Sequence, residues 1–196
     1  MGTGFIILTL SVVVIAFVIT VYNRLITLRN RTRNSFSQIE VQLKRRYELI
    51  PNLVETAKAY MQHEAGALLA VTEARNTAAD RCDAAAKRPD DSALVSALAA
   101  ADNSLTGAMG RLNVVMENYP DLKADAQMRD LSDELSSTEN RVAYARQAYS
   151  DAVMRYNTAS EQFPAVIVAQ LFSFKQADLF EVDQAEMKEP VAVNFA

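Results

Sequence analysis

Few residues in this chain could do acid–base or metal chemistry. The single histidine, His63, precedes Glu64. That pair opens the zinc-protease pattern His-Glu-x-x-His, but the second ligand position holds Ala67. A nucleophilic triad would have only this one base to draw on. A di-iron bundle needs Glu-x-x-His twice, and one histidine cannot supply it. Glycine is scarce, and Gly107-Ala108-Met109-Gly110 lies inside a helical pattern, where small residues are expected to permit close helix packing rather than to cradle a phosphate. The lone cysteine, Cys82, cannot form an internal disulfide and suits a reducing compartment. No catalytic residue, metal ligand set or cofactor site is therefore expected, and an enzymatic activity is not.

The residues that do carry a message are apolar and basic. Residues 5–22 read FIILTLSVVVIAFVITVY, without a charge, and include Phe5, Leu10 and Ile15. Eighteen residues of helix extend about 27 Å, close to the hydrocarbon thickness of a bilayer. Tyr22 closes the run where an interfacial aromatic would sit. No basic residue precedes the run, no small-residue cleavage site follows it, and no cysteine lies near it. It is expected to be a retained membrane-spanning anchor rather than a signal peptide or lipoprotein leader. Between positions 24 and 46 the net charge is +6; the whole chain carries −4, which leaves −10 beyond residue 46. Arg24, Arg29, Arg31 and Arg33 are placed to meet lipid headgroups and predict an outside N-terminus with the remainder on the cytoplasmic side of a bacterial inner membrane. Cys82 offers a chemical handle on that sidedness. Lys44, Arg45 and Arg46 lie about 30 Å farther along, beyond the Debye length of about 8 Å, and are expected on a solvated face or in ion pairs between helices. The acidic balance past residue 47 disfavours nucleic acid as a partner.

These residues need elements to hold them, and the patterning beyond the anchor is helical throughout. Stripes run Leu25, Leu28, Thr32, Phe36, Ile39, Leu43, Tyr47, Ile50; then Leu94, Leu98, Ala101, Leu105, Ala108, Leu112, Val115; then Leu131, Leu135, Thr138, Val142, Ala145, Tyr149, Ala152, Tyr156. A less regular series joins Val54, Ala57, Met61, Leu68 and Val71. Breaks fall at residues 87–92 and 117–121, each with a proline and helix-starting acids, and a weaker one at Ile50-Pro51. The pattern predicts an all-α chain: one transmembrane helix leading into an antiparallel up-and-down bundle of about four helical segments. Whether Pro51 kinks one helix or divides two stays open at this level. The domains are expected at 1–23 (stub and span), 24–162 (bundle) and 163–196 (apolar segment and acidic tail).

The run FPAVIVAQLFSF at 163–174 breaks the stripe and is too short to span a bilayer. Phe163, Pro164, Ile167, Leu171, Phe172 and Phe174 form a candidate interaction surface. They could dock on the bilayer, meet a soluble partner or another copy, or fold back onto their own bundle.

Particular stretches go further than pattern. Tyr22-Asn23, Val41-Gln42-Leu43-Lys44-Arg45-Arg46-Tyr47-Glu48-Leu49-Ile50-Pro51-Asn52-Leu53-Val54, His63-Glu64 and Thr72-Glu73-Ala74-Arg75 come first. Glu117-Asn118-Tyr119-Pro120-Asp121-Leu122-Lys123-Ala124, Glu139-Asn140-Arg141-Val142-Ala143-Tyr144-Ala145-Arg146, Tyr156-Asn157 and Phe163-Pro164 follow in order. In these blocks the chain resembles the LemA family. The resemblance implies a one-span bacterial inner-membrane protein with a helical bundle and no established reaction. A magnetosome-associated branch of that family is linked to building intracellular membranes, so membrane organisation or envelope stress is the expected setting. A non-enzymatic scaffold, homo-oligomeric and in contact with the lipid bilayer, is the leading expectation; an adaptor recruiting an envelope protein partner is the alternative.

Overall fold

The computed structural model describes residues 2–180, and all its regular structure is helical. The helices are α1 (Gly2–Lys58), α2 (Ala65–Lys87), α3 (Ser92–Met116), α4 (Pro120–Ala124), α5 (Ala126–Glu161) and α6 (Ala165–Leu171), with a 3-10 turn at Gln62–Glu64. The expected acidic tail lies outside the described residues except for its first acid, Asp178.

Four long helices alternate in direction, as the stripes require. Helix α1 packs along α5 and α2, and α2 packs along α3. At the distal end, the Tyr60 hydroxyl donates to Asp125 and the Tyr119 hydroxyl to Glu64. At the opposite end, Arg33 of α1 holds Asp90 in the α2–α3 turn through its Nε at 2.9 and 3.0 Å. The core joins Phe36, Ile39, Leu43, Ile50, Leu53, Leu98, Leu105, Leu112, Val142 and Tyr149, all positions of a helical stripe or its continuation. Each large side chain so buried contributes about 1.5–3 kcal/mol, which is what a helix of this kind needs beyond its own propensity.

Local chemistry sets the ends. Pro120 stands in the first turn of α4 with Asp121, where a missing N–H costs nothing and an acid meets the positive end of the helix. Helix α5 restarts at Asp125, whose carboxylate accepts the Met128 N–H at 2.9 Å.

Pro51 does not divide the first helix. α1 runs through it to Lys58, and the chain reverses only between Lys58 and Ala65. Proline removes the N–H that would meet the Tyr47 carbonyl one turn back. The structure supplies a substitute: Arg75 of α2 donates its Nε to that oxygen at 2.8 Å. The glycine expectation is corrected. An added Cβ at Gly110 would meet nothing within 4 Å, and at Gly107 only the Arg111 guanidinium, so these glycines face outward while Ala108 and Met109 face the core.

The proline and the arginine should behave as a pair. Arg75→Ala is expected to cost about 1–3 kcal/mol in the natural chain, because it orphans a part-buried carbonyl. In a Pro51→Ala background, residue 51 regains its N–H and the same change should cost much less. Chemical denaturation of the four proteins of this cycle reads the coupling, and simple additivity would show that Arg75 does not serve that carbonyl.

Candidate membrane-proximal site

The first third of α1 stands clear of the bundle. Its most apolar window has a mean hydropathy of 2.9 and no buried residue, long and apolar enough to cross a membrane. Phe5, Leu10 and Ile15 are all exposed, part of a continuous apolar surface larger than soluble monomers usually carry. No break separates this part of α1 from the part that enters the core at Leu25.

Tyr22 marks the transition, and the chain returns to it. The Phe172 and Phe174 rings meet Tyr22 edge-on, with centroids 4.9 and 5.5 Å away. Val168 and Ala169 of α6 are buried, Ala169 against Leu25 of α1 and Ala159 of α5. The apolar 163–174 run therefore folds back on its own bundle with one face only. Phe163, Ile167, Leu171 and Phe172 stay exposed, at 82%, 58%, 71% and 48%; Pro164 is exposed at the entry to α6. Ser173 adopts a left-handed conformation (φ 54°) and ends the helix: its N–H reaches the Gln170 carbonyl, and the Phe174 N–H reaches that of Ala169.

The four arginines expected at the membrane surface divide. Arg24 and Arg31 are exposed. The Arg29 guanidinium lies 5.5 Å from the Phe174 ring centroid. Arg33 is committed to Asp90, and this pairing raises the guanidinium pKa and lowers that of the carboxyl.

Beyond the Ser173 turn the chain runs extended along α5, away from the apolar end. Tyr156 donates to the Lys175 carbonyl at 2.7 Å, Asn157 exchanges two hydrogen bonds with the backbone of Ala177, and Tyr149 donates to the Asp178 carbonyl at 3.0 Å. Phe180 ends the described segment, buried, with the Arg146 guanidinium 4.7 Å from its centroid.

That arginine belongs to the most charged part of the core. Asp102 of α3 is fully buried and accepts from Arg46 (3.3 Å) and Tyr47 (3.2 Å) of α1 and from Arg146 of α5. Arg46 also reaches Glu139 at 2.8 Å and Thr106 at 3.2 Å. Burial lowers the Arg146 pKa against the pull of Asp102. Lys44 pairs with Glu40 and Asp83, and Arg45 with Glu134, so residues 44–46 are spent on ion pairs. Pattern reading missed the Asp102 cluster; the signal available was an acid inside the α3 stripe.

His63 is exposed in the turn between α1 and α2. Among the described residues no group of three or more His, Cys, Asp or Glu side chains could hold a metal ion. Cys82 is fully buried, and burial pushes its thiol up to about 12. It cannot report sidedness as expected, because an impermeant thiol reagent would miss it on either side of a membrane.

These features define an all-helical bundle borne on one helix of membrane-spanning length. The chain belongs to the LemA family, whose model matches residues 35–195. Among curated relatives, Magnetosome protein MamQ 1 and MamQ 2 of Paramagnetospirillum magneticum are each 28% identical over 189 residues, covering 86% of this chain and 68% of theirs. Magnetosome protein MamQ of Magnetospirillum gryphiswaldense is 24% identical over 201 residues, covering 92% and 74%.

Asp102→Ala should destabilise the bundle by about 3–5 kcal/mol, since it strands two guanidinium groups in the core. Removing the exposed partner Glu134 should leave the denaturation midpoint nearly unchanged. Loss of Asp102 without effect would show that the cluster holds nothing.

Stability should also fall in alkali. Burial pushes the Tyr149 phenol up to about 12 and raises that of Tyr47, alongside the Cys82 thiol. The folded state therefore holds these protons more tightly than the unfolded chain. Their contribution is complete below the unfolded values, about 8.5 for a thiol and 10 for a phenol, and is lost as pH rises from there to about 12. Denaturation midpoints measured between neutral pH and pH 11 should drop over that window, less steeply in Tyr149→Phe; a flat profile would contradict the burial of these groups.

Proposed function

We propose that this chain is a membrane-anchored, non-enzymatic helical scaffold whose assembled copies organise the membrane that carries them. The observation that carries the reading is the continuity of α1. One helix of 57 residues contains both the span-length apolar stretch and a central element of the bundle. A helix of that kind passes lateral force and tilt between bundle and bilayer, which a flexible linker would dissipate. The resemblance to proteins named for the magnetosome agrees with a role at membranes. The scarcity of catalytic groups points the same way, with His63 exposed and Cys82 sealed in the core.

In this reading residues 5–22 cross a bacterial inner membrane, with the N-terminus outside and the bundle on the cytoplasmic face. Arg24, Arg29 and Arg31 lie against anionic headgroups, each contributing about 1 kcal/mol. Arg33, held by Asp90, serves the bundle instead.

Full-length protein in liposomes should crosslink into homo-oligomers and change vesicle shape as the protein-to-lipid ratio rises. His63→Ala should do the same. A protein that stays monomeric at micromolar concentration in detergent and leaves vesicles unaltered would refute the scaffold. One dominant partner in a crosslinking pull-down would make the chain an adaptor. Tyr144 is 78% exposed, so Tyr144→Cys replaces Cys82 as the topology probe: an impermeant reagent should miss it in intact cells and label it in inverted vesicles.

A further inference from the structure

We infer that α6 and its flanking phenylalanines are a second membrane contact, an interfacial paddle that lies in the bilayer surface beside the span and fixes how the bundle stands on it. The inference rests on the reading that residues 5–22 cross the membrane, and it adds a site that the span does not require.

The chemistry of the segment is that of an interfacial helix. Between Phe163 and Phe174 there is no charged residue, while Glu161 and Lys175 flank it. Ile167 and Leu171, four residues apart, share one face of α6, Phe163 stands just ahead of the helix, and all three are exposed. Val168 and Ala169 occupy the opposite face and are buried against the bundle. Helix α6 thus already has its protein partner, and the side left over presents its two large aliphatic side chains, Ile167 and Leu171, beside Gln170.

Its height identifies the occupant. Phe172 and Phe174 touch Tyr22, the last residue of the apolar run, and Ala169 packs with Leu25, three residues farther along α1. The paddle therefore stands at the end of the span, where hydrocarbon gives way to headgroups. Aromatic rings concentrate at that depth, and apolar helix faces bury about 5–10 Å into it. The exposed basic residues at this level, Arg24 and Lys175, can reach headgroups while the apolar face enters the lipid. A second copy of the chain could cover the same face only by displacing the bilayer that the span brings to it. Lipid is the occupant the geometry favours.

One span leaves rotation and tilt free, whereas a span plus a lateral contact defines an orientation. The buried side of α6 bonds the paddle to both α1 and α5, so membrane contact there is felt by the first and last long helices together.

The test uses full-length protein in phosphatidylcholine liposomes with single added cysteines carrying an environment-sensitive fluorophore. Cys82 remains in place because it is sealed in the core. Probes at Leu10→Cys in the span, Ile167→Cys and Leu171→Cys on the paddle, and Gln127→Cys at the distal end are compared for quenching by lipids with a shallow acyl-chain spin label. The paddle probes should be blue-shifted and quenched severalfold more than the distal probe. In Ile167→Glu/Leu171→Glu protein, a probe at Phe163→Cys should lose that quenching while helix content stays the same. Quenching at Leu10 with water-like emission at 167 and 171 would overturn the paddle and leave the anchor standing. Absence of quenching at Leu10 as well would sink the anchor reading itself. Paddle probes that are shielded from water and lipid alike, and crosslink between copies, would assign the face to a subunit interface and overturn the lipid contact.

Discussion

The bundle is organised around a charge that water never reaches. Asp102 sits in α3 with no exposed surface and accepts from Arg46, Tyr47 and Arg146. Desolvating such a carboxylate is expensive, and its attraction to two guanidinium groups offsets the penalty only when the geometry is maintained. That condition ties α1, α3 and α5 to one register. A slip of any helix by one turn would leave an unpaired charge in the core, whereas the aliphatic layers around it would tolerate many slipped packings. The cluster therefore selects one arrangement among several that hydrophobic burial alone would allow.

The same cluster links the core to the membrane end. Arg146 faces Asp102 on one side and the Phe180 ring on the other. From Phe180 the extended segment is pinned to α5 at Tyr149, Asn157 and Tyr156 until it reaches Phe174, which lies between Arg29 and Tyr22. The C-terminal strap is thus a continuous run of anchored contacts from the buried charges to the end of the apolar helix. It lies between α3 and α5, with Asp178 held by Ser92 and Ala177 by Asn157, and seats the aromatic side chains at the level of Tyr22.

Much of this was legible in the sequence because it depends on period alone. The stripes through Phe36, Leu98 and Leu135 face inward, buried along their middles and half-buried at Leu28, Leu94, Val115, Leu131, Ala145 and Ala152, and the breaks at 87–92 and 117–121 fall where helices end and restart. The apolar run and its closing tyrosine need only composition and length. What pattern could not give is coupling between distant positions. Nothing in a single stripe says that Arg75 will take over the carbonyl orphaned by Pro51, so a local rule for proline could not decide between kink and break. Nor does the spacing of Gly107 and Gly110 say which way they face: they share a helix with a buried stripe but point out of it. Asp102 was hidden for a related reason, since an acid in an apolar stripe looks like an interruption until the arginines on two other helices are known.

The division of basic residues follows from position along α1. Arg24, at the edge of the apolar run, lies on the side of α1 away from the α5 and α6 residues that pack on Leu25, and it remains exposed. Arg33, about one turn past Arg29, meets the α2–α3 turn and is taken by Asp90. Along the rest of α1, Lys44, Arg45, Arg46 and Lys58 each have an acidic neighbour on their own or another helix. The excess of positive charge read from the sequence between residues 24 and 46 therefore narrows, in three dimensions, to a collar beside the apolar run, while farther along α1 each cation is paired. Such a gradient suits a helix whose first part belongs to lipid and whose second part belongs to protein: free charge is kept where anionic headgroups can meet it and removed where it would repel other parts of the bundle. Because α1 is unbroken, the collar, the end of the apolar run and the exposed side of α6 keep one fixed level on the bundle; in the proposed function that level is the bilayer surface, and the rigid helix sets the depth of everything attached to it.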